Sequence, residues 1–74
     1  MSDGQLCMNK ESKELYIFIG NLEGSYKYGL GVFEDCFGVI SIRKISEFEA
    51  VGDEEAKDLD PIMYQILKGE MDND

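Results

Sequence analysis

The chain predicts a small α+β domain: a strongly curled three-stranded antiparallel meander followed by a short C-terminal helix packed on one sheet face. Three observations lead there. Residues 14–45 alternate in polarity, are rich in aromatic and β-branched residues, and are broken by two turn-forming stretches. Residues 59–69 change to helical spacing behind an Asp-Pro start. The length of 74 residues allows one small core, since a domain of this size buries only about 60% of its unfolded surface. Strands followed by a helix place that helix over one face of the sheet.

Taken in order, residues 1–13 are polar, contain Gly4 and show no periodicity, and are expected to be a flexible arm in which Met8 would serve as an alternative start. The domain proper is expected to span 14–69. ELYIFIG sets Leu15, Ile17 and Ile19 on one strand face and Tyr16 and Phe18 on the other. With both faces apolar, this strand belongs in the middle of the sheet. GNLEGS, residues 20–25, supplies the Gly and Asn residues that a hairpin connection needs.

YKYGLGVFED, residues 26–35, groups Tyr26, Tyr28, Leu30 and Val32 on one face, with Lys27, Gly29, Gly31 and Phe33 opposite. Two glycines on one face imply a bulge, a bend or the close approach of another backbone. DCFG, residues 35–38, has the Asp and Gly ends of a type I turn. VISIRKI then makes the third strand, Ile40 and Ile42 pointing one way and Val39, Ser41 and Arg43 the other.

SEFE, residues 46–49, has the Ser-x-x-Glu form of a capping box and equally fits an extension of the third strand, and Gly52-Asp53 should break either. In LDPIMYQILKG, Asp60 is the expected N-cap, Pro61 the first helical residue, Leu59 and Tyr64 a hydrophobic staple, and Gly69 the stop. Ile62, Met63, Ile66 and Leu67 form the stripe expected to lie on the sheet. Residues 70–74 should be a frayed acidic tail. One sheet face, bearing Tyr16, Phe18 and Phe33 or the tyrosines of the second strand, is left uncovered. In so short a chain, that face implies a partner or a homodimer.

The segment KYGLGVF resembles the turn and strand of small SH3-like or tudor-like barrels found in transcription-coupled and helicase-associated domains, where an aromatic-Gly-x-Gly-Val pattern makes a tight bend. That resemblance covers fewer than ten residues. It implies a protein-binding barrel acting on RNA polymerase or another nucleic-acid enzyme, and it assigns no functional residue.

Charge is the most uneven property of the chain. The net charge is −9, and residues 1–46 contribute six acids against five bases while residues 47–74 contribute ten against two. Such a C-terminal excess repels nucleic acid and anionic membranes, so neither is an expected direct partner. There is no histidine, which removes the commonest general base and metal ligand. Cys7 and Cys36 match neither a zinc nor a redox spacing, and Glu34 and Asp35 disfavour a Cys36 thiolate. No ordered Asp-x-Asp-x-Asp-Gly loop accompanies the acids. No catalytic residue, cofactor or metal is therefore expected. Without a basic leader or a membrane-length apolar run, the expected setting is the cytoplasm.

EFEAVGDEEAKDLD, residues 47–60, holds seven carboxylates against Lys57. Asp60 and Asp58 have a local role at the helix start, leaving Glu47, Glu49, Asp53, Glu54 and Glu55 for an interaction surface. The expectation is a non-enzymatic inhibitor that occupies a basic, nucleic-acid-binding surface on a nuclease, polymerase or defence complex. Its general character resembles the small inhibitors that bacteriophages direct at their hosts. The five acids would steer association, and Tyr26, Tyr28 or Phe33 would be desolvated anchors. The alternatives are a self-associating structural or regulatory subunit whose acids only solubilise it, and an immunity or antitoxin-type protein.

Overall fold

The computed structural model describes residues 1–22 and 29–72, with side chains up to residue 69. Within them lie five strands, β1 (Gln5–Asn9), β2 (Leu15–Asn21), β3 (Leu30–Glu34), β4 (Ile40–Lys44) and β5 (Phe48–Ala50). A 3-10 turn (Ile45–Glu47) precedes β5, and two helices, α1 (Asp53–Leu59) and α2 (Pro61–Asp72), follow it. The α+β class stands, as one antiparallel sheet of order β4-β3-β2-β1-β5. That sheet is not closed, because β4 and β5 remain its outer strands.

The meander expected from residues 14–45 is present as β2, β3 and β4, with β2 in the middle of the sheet. The 1–13 arm is corrected. Gln5–Asn9 pair with β2 on one side and β5 on the other, and Leu6, Cys7 and Met8 are buried. Sequential neighbours alone hide this, since β1 completes its pairing with a strand some forty residues later. The turn that follows β1 is built by Asn9, whose Oδ1 accepts the N–H groups of Glu11 and Ser12 at 2.9 and 3.0 Å.

An extra residue in β2 explains its end. The β2–β3 register steps from Phe18↔Phe33 to Gly20↔Val32, so Ile19 is unpaired and stands 42% exposed. The bulge therefore falls on β2 and not on the glycine-rich strand. Gly31 has another use: a Cβ there would sit 2.8 Å from Phe18 Cε1 and 2.9 Å from Ile45 Cγ1. What approaches it is a pair of side chains, so only glycine lets the Phe18 ring and Ile45 close over β3.

The DCFG turn forms as expected. Asp35 Oδ1 accepts from the N–H groups of Phe37 and Val39, the Gly38 N–H donates to the Asp35 carbonyl, and Gly38 takes φ +80°. SEFE is divided between the two readings it allowed. Ile45–Glu47 make the 3-10 turn without a side-chain cap, and Phe48–Ala50 make a new strand on β1 in place of an extension of β4.

Two apolar layers lie on opposite faces of the sheet. Leu6, Met8, Leu15 and Ile17 meet Val51, Ala56, Tyr64 and Leu67 under the helices. Cys7, Phe18, Phe33 and Phe48 form the second layer, bordered by Tyr16 and Ile45. The face expected to be left open is thus covered by the chain's own return through the 3-10 turn and β5.

The C-terminal region holds one helix more than expected. Gly52 is the N-cap of α1, and Asp60 starts α2 by accepting the Met63 N–H on Oδ1 at 3.0 Å. Gly69 does not stop α2, which continues to Asp72 through the first part of the expected tail. The buried stripe is also rotated. Tyr64 and Leu67 are buried, whereas Ile62 is 74% and Ile66 45% exposed. The cause is α1, whose Ala56 supplies the packing that turns Tyr64 inward. Leu59, expected to staple onto Tyr64, remains 42% exposed, and the Lys57 ammonium lies 5.7 Å from the Tyr64 ring centroid.

Candidate functional site

The five candidate acids follow one another along the outer strand β5 and into α1. Glu47 closes the 3-10 turn, Glu49 lies on β5 opposite Met8, and Asp53, Glu54 and Glu55 form the first turn of α1. All five are exposed, as is Asp58. Each has a different degree of local use. The Glu47 carboxylate lies 3.7 Å from Arg43 Nε, and that of Asp53 lies 3.7 Å from Lys68 Nζ. Glu49, Glu54 and Glu55 make no ion pair among the described residues.

Helix α1 gives Asp53, Glu54 and Glu55 a local function that their spacing had not shown. Carboxylates in a first turn face the unsatisfied N–H groups and the positive end of the helix dipole, typically worth about 0.3–1 kcal/mol each at the surface. That stabilisation leaves their outward oxygens in solvent. The acids therefore serve the helix and still present a negative surface.

The aromatic anchors fare differently. Phe33 is corrected: it is fully buried, its ring 4.0 Å from that of Phe48 at 16° and 5.4 Å from that of Phe18. It cannot reach a partner without opening the core. Tyr26 and Tyr28 lie outside the described residues. Tyr16, not named as an anchor from the sequence, is half-buried and packs edge-on against Phe48 at 5.1 Å.

Beside Tyr16 an open groove of about 580 Å³ runs between the β1–β2 turn and the 3-10 turn. Asn9, Lys10, Glu11, Ser12, Glu14, Arg43 and Glu47 line it with Tyr16. It is an open surface groove, not an enclosed cavity. The lining is mixed in charge. Among the lining residues, Arg43 lies 5.7 Å above the Phe48 ring and is paired with Glu47, so the guanidinium is already engaged on two sides.

The thiols are apart from these features. Burial pushes the Cys7 thiol up to about 12, and its Sγ donates to the Tyr16 carbonyl at 3.5 Å. Burial, followed by the Asp35 carboxylate, raises the half-buried Cys36 thiol as well. Both are held in the protonated, weakly nucleophilic form. Among the described residues no group of three or more Cys, Asp or Glu side chains is placed to hold a metal ion, and no helix is long and apolar enough to cross a membrane.

Comparison with protein-family models, with curated proteins and with solved structures finds no match to this chain.

Proposed function

We propose that this protein is a small acidic binding module that acts without catalysis, inhibiting a partner by occupying its basic, nucleic-acid-binding surface. The observation that carries the reading is the run from Glu47 to Asp58. Glu49, Glu54, Glu55 and Asp58 are exposed and make no ion pair among the described residues, while Arg43 and Lys68 are committed to Glu47 and Asp53 and the run's own cation, Lys57, lies over the Tyr64 ring. A negative surface held on a strand and a helix is preorganised, so it attracts a cationic groove without the entropic cost of ordering a flexible polymer. The partner class is a nuclease, polymerase or defence complex, and a phage source suits that class. Two unpaired thiols support the cytoplasm as the setting.

We read the sheet as a strongly curled, SH3-like one. Only three residues carry the chain from β4, one outer strand, to β5, the other. Four Cα steps reach at most about 14 Å, whereas the edges of a flat five-stranded sheet stand roughly 19 Å apart at a strand spacing of about 4.8 Å. A bent sheet resolves the difference, and the contact of Phe33 on β3 with Phe48 on β5, at 4.0 Å between ring centroids, supports the same reading.

The test is affinity capture from the native host at about 50 and about 500 mM salt, where the screening length falls severalfold. The wild type is compared with a Glu49→Gln, Glu54→Gln, Glu55→Gln variant. The expected result is a basic partner captured at low salt, released at high salt, and bound at least about tenfold more weakly by the variant. Capture indifferent to both changes would remove the basis for the reading.

A further inference from the structure

The outer strand β4 and the residue before it expose apolar side chains at an edge of the sheet. Val39, Ile40 and Ile42 are 57%, 54% and 55% exposed, and its two charges, Arg43 and Lys44, stand together at its C-terminal end. Ile40 lies opposite Glu34, and Glu34 opposite Ile17, so the isoleucines are on the helix-bearing side of the sheet. The helices cover the β1 and β2 part of that side and leave the β4 part open.

Ile40 and Ile42 also have an open backbone, whereas that of Val39 is taken up by Asp35. The Ile45 N–H donates to the Gly29 carbonyl at 2.8 Å, and the Asp35 N–H to the Val39 carbonyl at 3.1 Å. Bonded pairs alternate along an antiparallel ladder, so Gly31–Arg43 and Phe33–Ser41 are the bonded pairs between these two ends. Ile40, Ile42 and Lys44 then turn their N–H and C=O groups away from β3. An edge of this kind, without proline or bulge, is a template for a further strand.

We propose that β4 pairs antiparallel with β4 of a second copy of this chain, about a two-fold axis at Ser41. In this register Ile40 meets Ile42 of the second copy and exchanges backbone hydrogen bonds with it, and the four isoleucines become cross-strand neighbours on one face. Charge selects the occupant and the register. Lys44 of the second copy arrives opposite Gly38, and the Glu34 carboxylate is already there, with Oε2 3.9 Å from the point a Cβ on Gly38 would occupy. The acidic end of the edge thus receives the basic end of its copy, twice by symmetry. Centring on Ile42 instead would set Lys44 against Ile40, and centring on Ile40 would set Ile42 against Gly38. The contact is isologous and closes at two copies. It uses none of the acids from Glu47 to Asp58, so it stands apart from the basic-partner reading and leaves that surface free on both copies.

Sedimentation of the full chain over roughly 10 to 500 µM tests the pairing. The expected result is a concentration-dependent species of twice the 8.4 kDa chain mass. Ile42→Lys, at an exposed position, should remain folded by circular dichroism and be monomeric. Lys44→Glu and Glu34→Lys should each weaken the dimer by about tenfold, and their combination should restore it, as expected of one directly coupled pair. In a Cys36→Ser background, Ser41→Cys should form an intermolecular disulfide on mild oxidation, because a non-bonded antiparallel pair brings its Cα atoms to about 4.5 Å. Val39→Cys should not. A wild-type monomer throughout the range, equal cross-linking at residues 39 and 41, or a double charge swap that fails to restore the dimer overturns the proposal.

Discussion

The rings of Phe33 and Phe48 stack with centroids 4.0 Å apart and planes inclined by 16°. Phe33 belongs to β3 and Phe48 to β5, which are not neighbours in the sheet, so the contact joins two strands that share no backbone hydrogen bond. It fastens the returning chain over the second apolar layer, in a role that backbone pairing cannot supply. Phe48→Ala removes the stacked partner, the edge contact with Tyr16 and the surface under Arg43. The expected cost is about 3 to 5 kcal/mol, read as a fall in the urea midpoint. A loss below about 1 kcal/mol would mean that β5 is held by its pairing with β1 alone.

Gly31 is the position where a methyl group should do the most harm. Its Cβ would approach Phe18 and Ile45 within 3 Å, and both belong to the packed aromatic layer. Gly31→Ala is expected to destabilise the fold by about 1 to 3 kcal/mol through overpacking. Thermal unfolding checks it, and an unchanged or raised midpoint would show that Ile45 gives way freely.

The α2 cap should be measurable on its own. Asp60→Ala removes the acceptor of the Met63 N–H and is expected to cost about 1 kcal/mol. Asp60→Asn should recover most of that loss, since an amide oxygen accepts the same bond. Equal losses in both variants would assign the effect to charge and not to the cap.

Cys7 makes stability fall in alkaline solution. Its thiol titrates near 9 when unperturbed and at about 12 in the folded chain. Above pH 9 the unfolded chain gains a thiolate that the folded chain does not, so unfolding is favoured progressively as pH rises from 9 towards 12 and is unaffected below 9. The slope from this group approaches about 1.4 kcal/mol per pH unit. Urea titrations from pH 8 to 10.5 should show a shallower decline for Cys7→Ala than for the wild type. Parallel curves would contradict the burial of the thiol.

The strands β2, β3 and β4 and the Asp35 turn were legible because their signals are local, while most of the expected 20–25 connection lies outside the described residues. Alternation marks a strand, Asp35 and Gly38 carry the turn within four residues, and Asp60-Pro61 states a helix start outright. Residues 5–9 were illegible for the converse reason. Their apolar core, Leu6 to Met8, is too short between polar flanks to mark a strand, although it pairs both with the neighbouring β2 and with the distant Phe48–Ala50. The five candidate acids are exposed, but the sequence did not show that Asp53–Glu55 begin a helix, since Gly52 reads as a breaker until its role as N-cap is seen.

By itself the sequence determined the α+β class, the central place of β2, the Asp35 turn, the Asp60 cap and the concentration of negative charge after residue 46. Tertiary structure alone decided which apolar residues are used up. It buried Phe33 and Phe18 under β5, turned Ile62 and Ile66 outward when α1 took their place, and left Ile40 and Ile42 at an open edge. Strand periodicity records that a residue faces one side of a sheet; what covers that side depends on chain segments far away in sequence, and the pattern of a single strand carries no trace of them.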